Sequence, residues 1–153
     1  MSNLTFQFEG NSLSATKFEG KSRHFSLTID EPEDLGGKNE AANPVEYILA
    51  GFAGCLNVVA HLVAKELNIK VNHLTIDIKG DLNPAKFLGT SDEYRAGYQN
   101  INVVIKAETN ADEKLYQQWI KEINLRCPVK DNLLNPTPVD IKLENKLFNF
   151  QLN

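Results

Sequence analysis

Residues 43–67 read NPVEYILAGFAGCLNVVAHLVAKEL and predict an α-helix, the longest element of the chain. Asn43 is a suitable N-cap, Pro44 fits the first helical position, and Glu46 can reach back to the cap from the third position. Apolar residues continue almost without interruption to Leu67, where the helix is expected to end. The pattern therefore places one long apolar helix near the centre of the chain.

The apolar part of this helix, Tyr47–Ala64, is as long as a short membrane span. It contains the polar residues Asn57 and His61, and it runs directly into the charged pair Lys65-Glu66. The N-terminal residues lack the basic and apolar segments of a secretory signal. We therefore predict a buried helix of a soluble protein, with no membrane as a partner.

The composition predicts one globular domain over residues 1–153, because a hydrophobic fraction of 42% and a charged fraction of 24% are ordinary values. The formal net charge is −4, and the lysines and arginines form no basic block, which argues against nucleic acid as a partner. Two cysteines without an export signal indicate the cytoplasm, where a transient catalytic disulfide is commoner than a permanent one.

The remaining pattern is one of alternating strands, one amphipathic helix and one short helix opened by proline. Gly10-Asn11 is a turn signal between the first two strands, and residues 80–99 form a long loop. The order β-β-β-α-β-β-α-α-β is an α+β pattern. Around the central helix, the predicted elements are strands Leu4–Glu9, Ser12–Phe18, Arg23–Asp30, Lys70–Lys79, Ile101–Glu108 and Val139–Gln151, and helices Ala111–Leu125 and Pro128–Leu134.

Cys55 lies within the apolar helix and has two interpretations. Most buried cysteines are small core residues, and this segment taken alone favours that role. Gly51 and Gly54 are poor helix formers, and glycines in an apolar helix usually let a second helix or a substrate approach closely. A reactive thiol is therefore the alternative.

Cys127 precedes Pro128, which suits the first position of a helix and so places the cysteine near the N-cap. Free N–H groups at that end, together with the Arg126 charge, are expected to stabilise a thiolate. The alternative is a structural capping cysteine. Sequence spacing alone cannot show contact with Cys55, and no second cysteine or histidine lies near either residue, which argues against a zinc site.

Glu46 also has two interpretations. It completes the capping box, or it is a carboxylate that orients an arginine near a thiolate. It lies nine residues before Cys55, which is two and a half helical turns, so it starts on the far face of the helix. The capping role is the favoured one.

Four segments occur together in this chain: PVEYILAGFAGC (residues 44–55), LNIKVNHLTIDIKGDL (67–82), RCPV (126–129) and Pro138-Val139. They resemble, in that order, the first-cysteine helix of the OsmC/Ohr family, the strand that follows it, the second-cysteine motif and the closing strand. The loop with Asp30-Glu31-Pro32 and Gly36-Gly37 resembles that of the OsmC-like branch. The resemblance covers nearly the whole chain.

This resemblance implies an OsmC-like α+β fold that forms an intertwined homodimer around two central helices, with active sites at the subunit interface. It also implies an enzyme, a thiol-dependent reductase of organic hydroperoxides in oxidative or osmotic stress defence. Cys55 would be the peroxidatic thiolate and Cys127 the resolving thiol, and a dithiol such as lipoamide would reduce their disulfide. No metal, flavin, haem or other cofactor is implied.

The chain departs from the family pattern at one position. The organic-hydroperoxide branch has a glutamate, paired with an arginine, ten residues before its first cysteine; here Val45 occupies that position and Glu46 is the adjacent carboxylate. Active members use an arginine from the N-terminal strands or the following loop, and Arg23 is the only arginine in that region. Arg23, Glu46 and Arg126 are therefore the expected supporting residues.

The valine also motivates an alternative function, a catalytically weak module that binds a small apolar ligand such as a fatty acid. The expected pocket lining for that function is apolar and aromatic, as ligand sites usually are. Its members would be Phe52, Leu56 and the loop aromatics Phe87, Tyr94 or Tyr98.

Overall fold

A computed structural model describes residues 2–144 of the chain. The described part contains two antiparallel sheets, ordered β1-β2-β3 and β4-β5, and three α-helices. A single 3-10 turn at Glu33–Leu35 precedes the first helix. The elements are β1 (Glu9–Ser12), β2 (Phe18–Ser22), β3 (Phe25–Ile29), α1 (Pro44–Glu66), β4 (Val71–Asp81), β5 (Asn100–Thr109), α2 (Glu113–Arg126) and α3 (Pro128–Leu134).

The helix ends follow from local sequence signals. Asn43 and Glu46 form the predicted capping box at α1, with bonds of 2.9 and 2.8 Å between each side chain and the other residue's backbone N–H. Asn68, directly after the end of α1, has a left-handed φ of 56°, a conformation that asparagine tolerates. Asp112 caps α2 by accepting the backbone N–H of Leu115 at 2.8 Å. The predicted capping box of α1 is confirmed, whereas α2 begins two residues later than predicted, at Glu113.

The N-terminal sheet corrects the prediction for the first two strands. Gly10-Asn11 lies inside β1 rather than in a turn. The chain reverses instead at residues 13–17, where the N–H groups of Leu13 and Ser14 donate to the Lys17 carbonyl at 2.8 and 3.1 Å. The Ser14 hydroxyl accepts the N–H of Lys17 at 2.9 Å, so a serine side chain supplies the turn that glycine was expected to make.

Gly10 has a packing role in place of the predicted turn role. It pairs with Gly20 across the β1–β2 ladder. A Cβ at Gly10 would lie 2.5 Å from the Phe18 ring, and a Cβ at Gly20 would lie 2.4 Å from the Phe8 ring. Two aromatic rings therefore lie directly over the backbone at positions where only glycine fits.

The core lies between α1, the β4–β5 sheet and α2. Trp119 and Ile123 of α2 are fully buried against it, and the Trp119 indole N–H donates to the Ala60 carbonyl of α1 at 2.8 Å. The sheet turns its apolar residues toward the same centre. The buried residues of α1 are Phe52, Leu56, Val59, Ala60, Val63 and Ala64.

The opposite side of α1 is exposed in the single chain. By length and composition α1 could cross a membrane, and about a third of its most apolar window is buried within the described chain. The prediction of a buried helix is therefore met on one side only. The exposed residues of that side include Gly51, Gly54, Val58 and Leu62, which we call the open stripe of α1.

The C-terminal segment differs from the prediction as far as it is described. Residues 139–144 form no strand, and Val139 and Ile141 are exposed. The rest of the predicted strand, up to Gln151, lies outside the described residues. Up to α3 the order of elements is the predicted α+β order.

Candidate active site

Cys55 lies at the start of the fourth turn of α1, on the border between its buried and exposed sides. Its neighbours Phe52 and Leu56 belong to the core, and Cys55 itself is half-buried and packs against that core. A Cβ added at Gly51 or Gly54 would meet nothing within 4 Å. The expected close approach at these glycines is therefore not made within the described single chain.

Cys127 joins α2 to α3 and is 2% exposed. Its backbone is extended, with φ −79° and ψ 109°, because Pro128 opens the next helix and the residue before a proline disfavours the helical conformation. The Cys127 Sγ accepts the backbone N–H of Lys130 at 3.5 Å. The predicted N-cap position is confirmed.

The two cysteines are brought into contact by the packing of α1 against α2 and α3. Their Sγ atoms are 3.2 Å apart, and both residues are free thiols. A disulfide has an S–S length of about 2.05 Å, so the sulfurs need to approach by only about 1 Å to form one. A chain separation of 72 residues thus becomes a direct sulfur–sulfur contact.

The environment of Cys127 favours the thiol. Burial raises the pKa of the Cys127 thiol, and the neighbouring Cys55 sulfur raises it further, whereas the N–H of Lys130 acts in the opposite direction. The net pKa shift is upward from the ordinary value of 9.0. The prediction that this N-cap stabilises a thiolate is therefore wrong. The cost of removing the charged sulfur from water exceeds the stabilisation that the N-terminal end of the helix provides.

Arg126 is bound by a carboxylate and not by either cysteine sulfur. Its two guanidinium NH groups donate to the two carboxylate oxygens of Glu66, at 2.5 and 2.9 Å. This pairing lowers the pKa of Glu66 and raises that of Arg126. The bidentate pair connects the C-terminal end of α2 to the C-terminal end of α1. Arg126 is the last residue of α2, and Cys127 follows it directly.

The other two predicted supporting residues lie outside the cysteine contact in the single chain. Arg23 occupies the turn between β2 and β3, with a left-handed φ of 57°, and its guanidinium carbon is 5.0 Å from the centre of the Phe25 ring. Glu46 stays at the cap of α1, where one carboxylate oxygen accepts the N–H of Asn43. Neither residue is brought together with Cys55 within the described chain.

Two contacts near the site have partners that sequence spacing does not indicate. Glu66 carried no signal as the partner of Arg126, because 60 residues separate them. The sequence presents Tyr98 only as an aromatic residue of the long loop. In the structure its hydroxyl donates to the Val45 carbonyl at 2.8 Å, and its ring lies against Gly80. Tyr98 therefore ties the long loop to the start of α1.

A cavity of about 890 Å³ opens beside the cysteine-bearing helix. Phe52, Leu56 and Tyr98 line it as expected, whereas Phe87 and Tyr94 are not among its lining residues. Its walls are mainly apolar side chains of α1, β5 and α2, including Ile101, Val103, Ile105 and Ile120, and its polar residues include Arg95 and Lys130.

Comparison with known proteins gives a consistent picture. The family model described as OsmC-like protein matches residues 37–142. A curated protein named hydroperoxide reductase, from Mycoplasma genitalium, is 28% identical over 113 residues, which make up 73% of this chain and 74% of that protein.

Two solved structures share the fold. An OsmC-like protein from Mycoplasma pneumoniae has a TM-score of 0.74 at 19% identity, covering 87% of this chain and 89% of its own. A Legionella pneumophila structure described as an organic hydroperoxide resistance protein OsmC has a TM-score of 0.61 at 18% identity, covering 87% and 91%. At these identities the likeness concerns the fold.

Proposed function

Because this chain belongs to the OsmC-like protein family, we propose that it is a thiol-dependent reductase of organic hydroperoxides that acts in defence against peroxide stress. The hydroperoxide reductase name of its Mycoplasma genitalium relative supports this reaction class. The observation that carries the proposal is the contact of two reduced sulfurs at 3.2 Å. A pair at that distance can pass from two thiols to a disulfide with little movement.

In the proposed reaction, the Cys55 thiolate attacks the distal oxygen of the hydroperoxide and the O–O bond breaks. The electron pair leaves on the alkoxide, which takes a proton from water to become the alcohol. Cys55 is then a sulfenic acid, and Cys127 condenses with it to give the disulfide and water. A dithiol such as lipoamide restores both thiols by thiol–disulfide exchange.

The supporting residues have different proposed roles. Arg126, held by Glu66, keeps the end of α2 in position beside Cys127. Glu46 stabilises the start of the helix that carries Cys55. Arg23 is the proposed source of a guanidinium for the site in the homodimer, because in one chain it lies at the tip of the N-terminal sheet.

The homodimer itself is part of the proposal. In the open stripe of α1, Val58 is 64% exposed and Leu62 is 48% exposed, although both belong to the most apolar helix of the chain. A second copy of α1 would cover this surface, and Gly51 and Gly54 would permit close approach. We further propose a single domain over residues 1–153 and a cytoplasmic location, where a reversible disulfide can be reduced again.

The first experiment adds one equivalent of cumene hydroperoxide to the reduced protein. We expect the Cys55–Cys127 disulfide in peptide mass spectra, together with one equivalent of the alcohol. In Cys127→Ser, a sulfenic-acid trap should label Cys55. Two thiols that remain free, or that oxidise only over hours, would contradict the proposal.

The cavity of about 890 Å³ favours a second candidate, the binding of a small apolar ligand. A medium-chain fatty acid should then raise the melting temperature of the protein. Leu134→Glu should abolish that rise, because Leu134 lines the cavity and is 70% exposed, so the change adds a charge without disturbing the core. A rise in melting temperature without peroxide turnover would favour binding over catalysis.

A further inference from the structure

A reactive thiolate needs a cation or a hydrogen-bond donor nearby. The charged groups that flank the sulfur pair on the helices already have partners in the described chain. Arg126 binds Glu66, the Lys130 ammonium donates to the Asn124 carbonyl and Oδ1 at 3.3 and 2.8 Å, and the Asp131 carboxylate accepts the amide of Asn135 at 2.9 Å. The sheet side chains that pack on the core include Leu74, Ile76, Ile78, Val103 and Ile105, which carry no charge. Among these contacts, no cation reaches Cys55.

A donor is nevertheless in contact with Cys55. The Cys127 sulfur is 3.2 Å from it, and the lone pairs of the Cys127 sulfur accept the Lys130 N–H at 3.5 Å. Two sulfurs at this distance cannot both be negative without strong repulsion in a site that is partly removed from water. One sulfur therefore carries a proton, and that proton can lie between the two.

We propose that Cys127 is the proton-bearing member of the pair and that its S–H group donates a hydrogen bond that holds the negative charge on Cys55. The inference rests on the proposed peroxidase function and adds a step before resolution. In this arrangement the resolving cysteine also activates the peroxidatic one, alongside the guanidinium proposed to come from Arg23 in the homodimer.

Burial decides which sulfur keeps the proton. Cys127 is 2% exposed and Cys55 is half-buried, so a negative charge is better solvated on Cys55. The upward shift in the pKa of the Cys127 thiol, caused first by burial, agrees with this direction. Of the two cysteines, Cys55 is also the more exposed to an incoming peroxide.

The same proton serves the second step of the reaction. After attack, Cys55 carries the hydroxyl group of the sulfenic acid and Cys127 is still a thiol. As the S–S bond forms, the S–O bond breaks and the departing hydroxide takes the Cys127 proton, which gives water. Atoms and charge balance without a separate acid.

The test is the rate of the first step in single turnovers, measured as alcohol released from cumene hydroperoxide. Cys127→Ser keeps a hydroxyl donor and the N-cap, whereas Cys127→Ala removes both. At neutral pH we expect Cys127→Ala to be slower than Cys127→Ser by about tenfold or more, which is typical for a hydrogen bond to a charged group. The difference should narrow as the pH rises, because the donor matters less once hydroxide in solution removes the proton from the sulfur pair.

A control separates loss of the donor from loosening of α3. Asn132→Ala removes the side-chain bond to the Pro128 carbonyl at 2.9 Å without touching either sulfur, and it should leave the first step unchanged. Equal first-step rates for the serine and alanine variants across the pH range would overturn the inference. If the wild-type protein releases no alcohol at all, the proposed function fails instead, so the two failures are distinguishable.

Discussion

Trp119 is predicted to be the side chain on which the contact between the two cysteines most depends. It is fully buried, and it joins α2 to α1 through the 2.8 Å bond to the Ala60 carbonyl. Cys127 follows eight residues later in the chain, so the same packing positions its sulfur. We expect Trp119→Phe to reduce both the free energy of unfolding and the rate of disulfide formation.

The magnitude follows from two losses. Phenylalanine lacks the indole N–H, and a buried hydrogen bond contributes about 1 kcal/mol to stability. It is also smaller by about 40 Å³, which at about 24 cal/mol per Å³ of cavity costs about 1 kcal/mol, and the lost apolar transfer free energy adds about 1 kcal/mol more. The expected loss is therefore about 3 kcal/mol.

The assay is urea unfolding followed by circular dichroism, because Trp119 is the single tryptophan and its fluorescence disappears in the variant. Protein concentration is held constant, since the proposed homodimer would unfold in a concentration-dependent manner. Gln117→Ala, on the exposed side of the same helix, is the matched control and should change little. A loss below about 0.5 kcal/mol for Trp119→Phe would refute the role of Trp119 in joining the helices.

Three further predictions concern charge and assembly. Glu66→Gln should release the Arg126 guanidinium and slow disulfide formation severalfold in single turnovers, and an unchanged rate would refute the positioning role of the pair. The pKa of Asp30 is lowered, because N–H donation from Glu40, Lys38 and Glu31 outweighs the opposing effect of burial. Its contribution to stability is therefore present above the ordinary carboxyl pKa of 3.8 and lost as the pH falls through the lower folded-state value; urea midpoints from pH 6 to pH 2 should converge for wild type and Asp30→Asn. Val58→Asp should convert a dimer to monomers in light scattering, and dimers that persist would show that the open stripe is not the interface.

The predictions that succeeded depend on neighbours in the chain. The α1 cap needs only Asn43 and Glu46, three residues apart, and the cap of α3 needs only Cys127 followed by proline. Their hydrogen bonds close within one helical turn, so a short pattern is sufficient. The same holds for the face of α2 that bears Trp119 and Ile123, because helical periodicity places them on one side.

The predictions that failed concern residues whose role depends on contacts with other secondary-structure elements. Gly10 matches a turn signal, but it lies in a strand, where the Phe18 ring occupies the space that a side chain at this position would fill. Arg126 follows the pattern of a cation beside a thiol, yet Glu66 binds it from 60 residues away. In both cases the partner lies outside the local pattern: Phe18 is on the neighbouring strand, and Glu66 is on another helix.

The sequence by itself therefore determined the order of the elements up to α3, the capped starts of α1 and α3 and the two cysteine motifs, because these follow from short-range hydrogen bonding and periodicity. Only the tertiary structure decided that the two sulfurs lie 3.2 Å apart and that burial favours the thiol at Cys127. The distance between these two sulfurs, which are 72 residues apart in the chain, depends on how α1 packs against α2 and α3. The cost of ionising a thiol depends on how much water the surrounding fold removes, which no local pattern encodes.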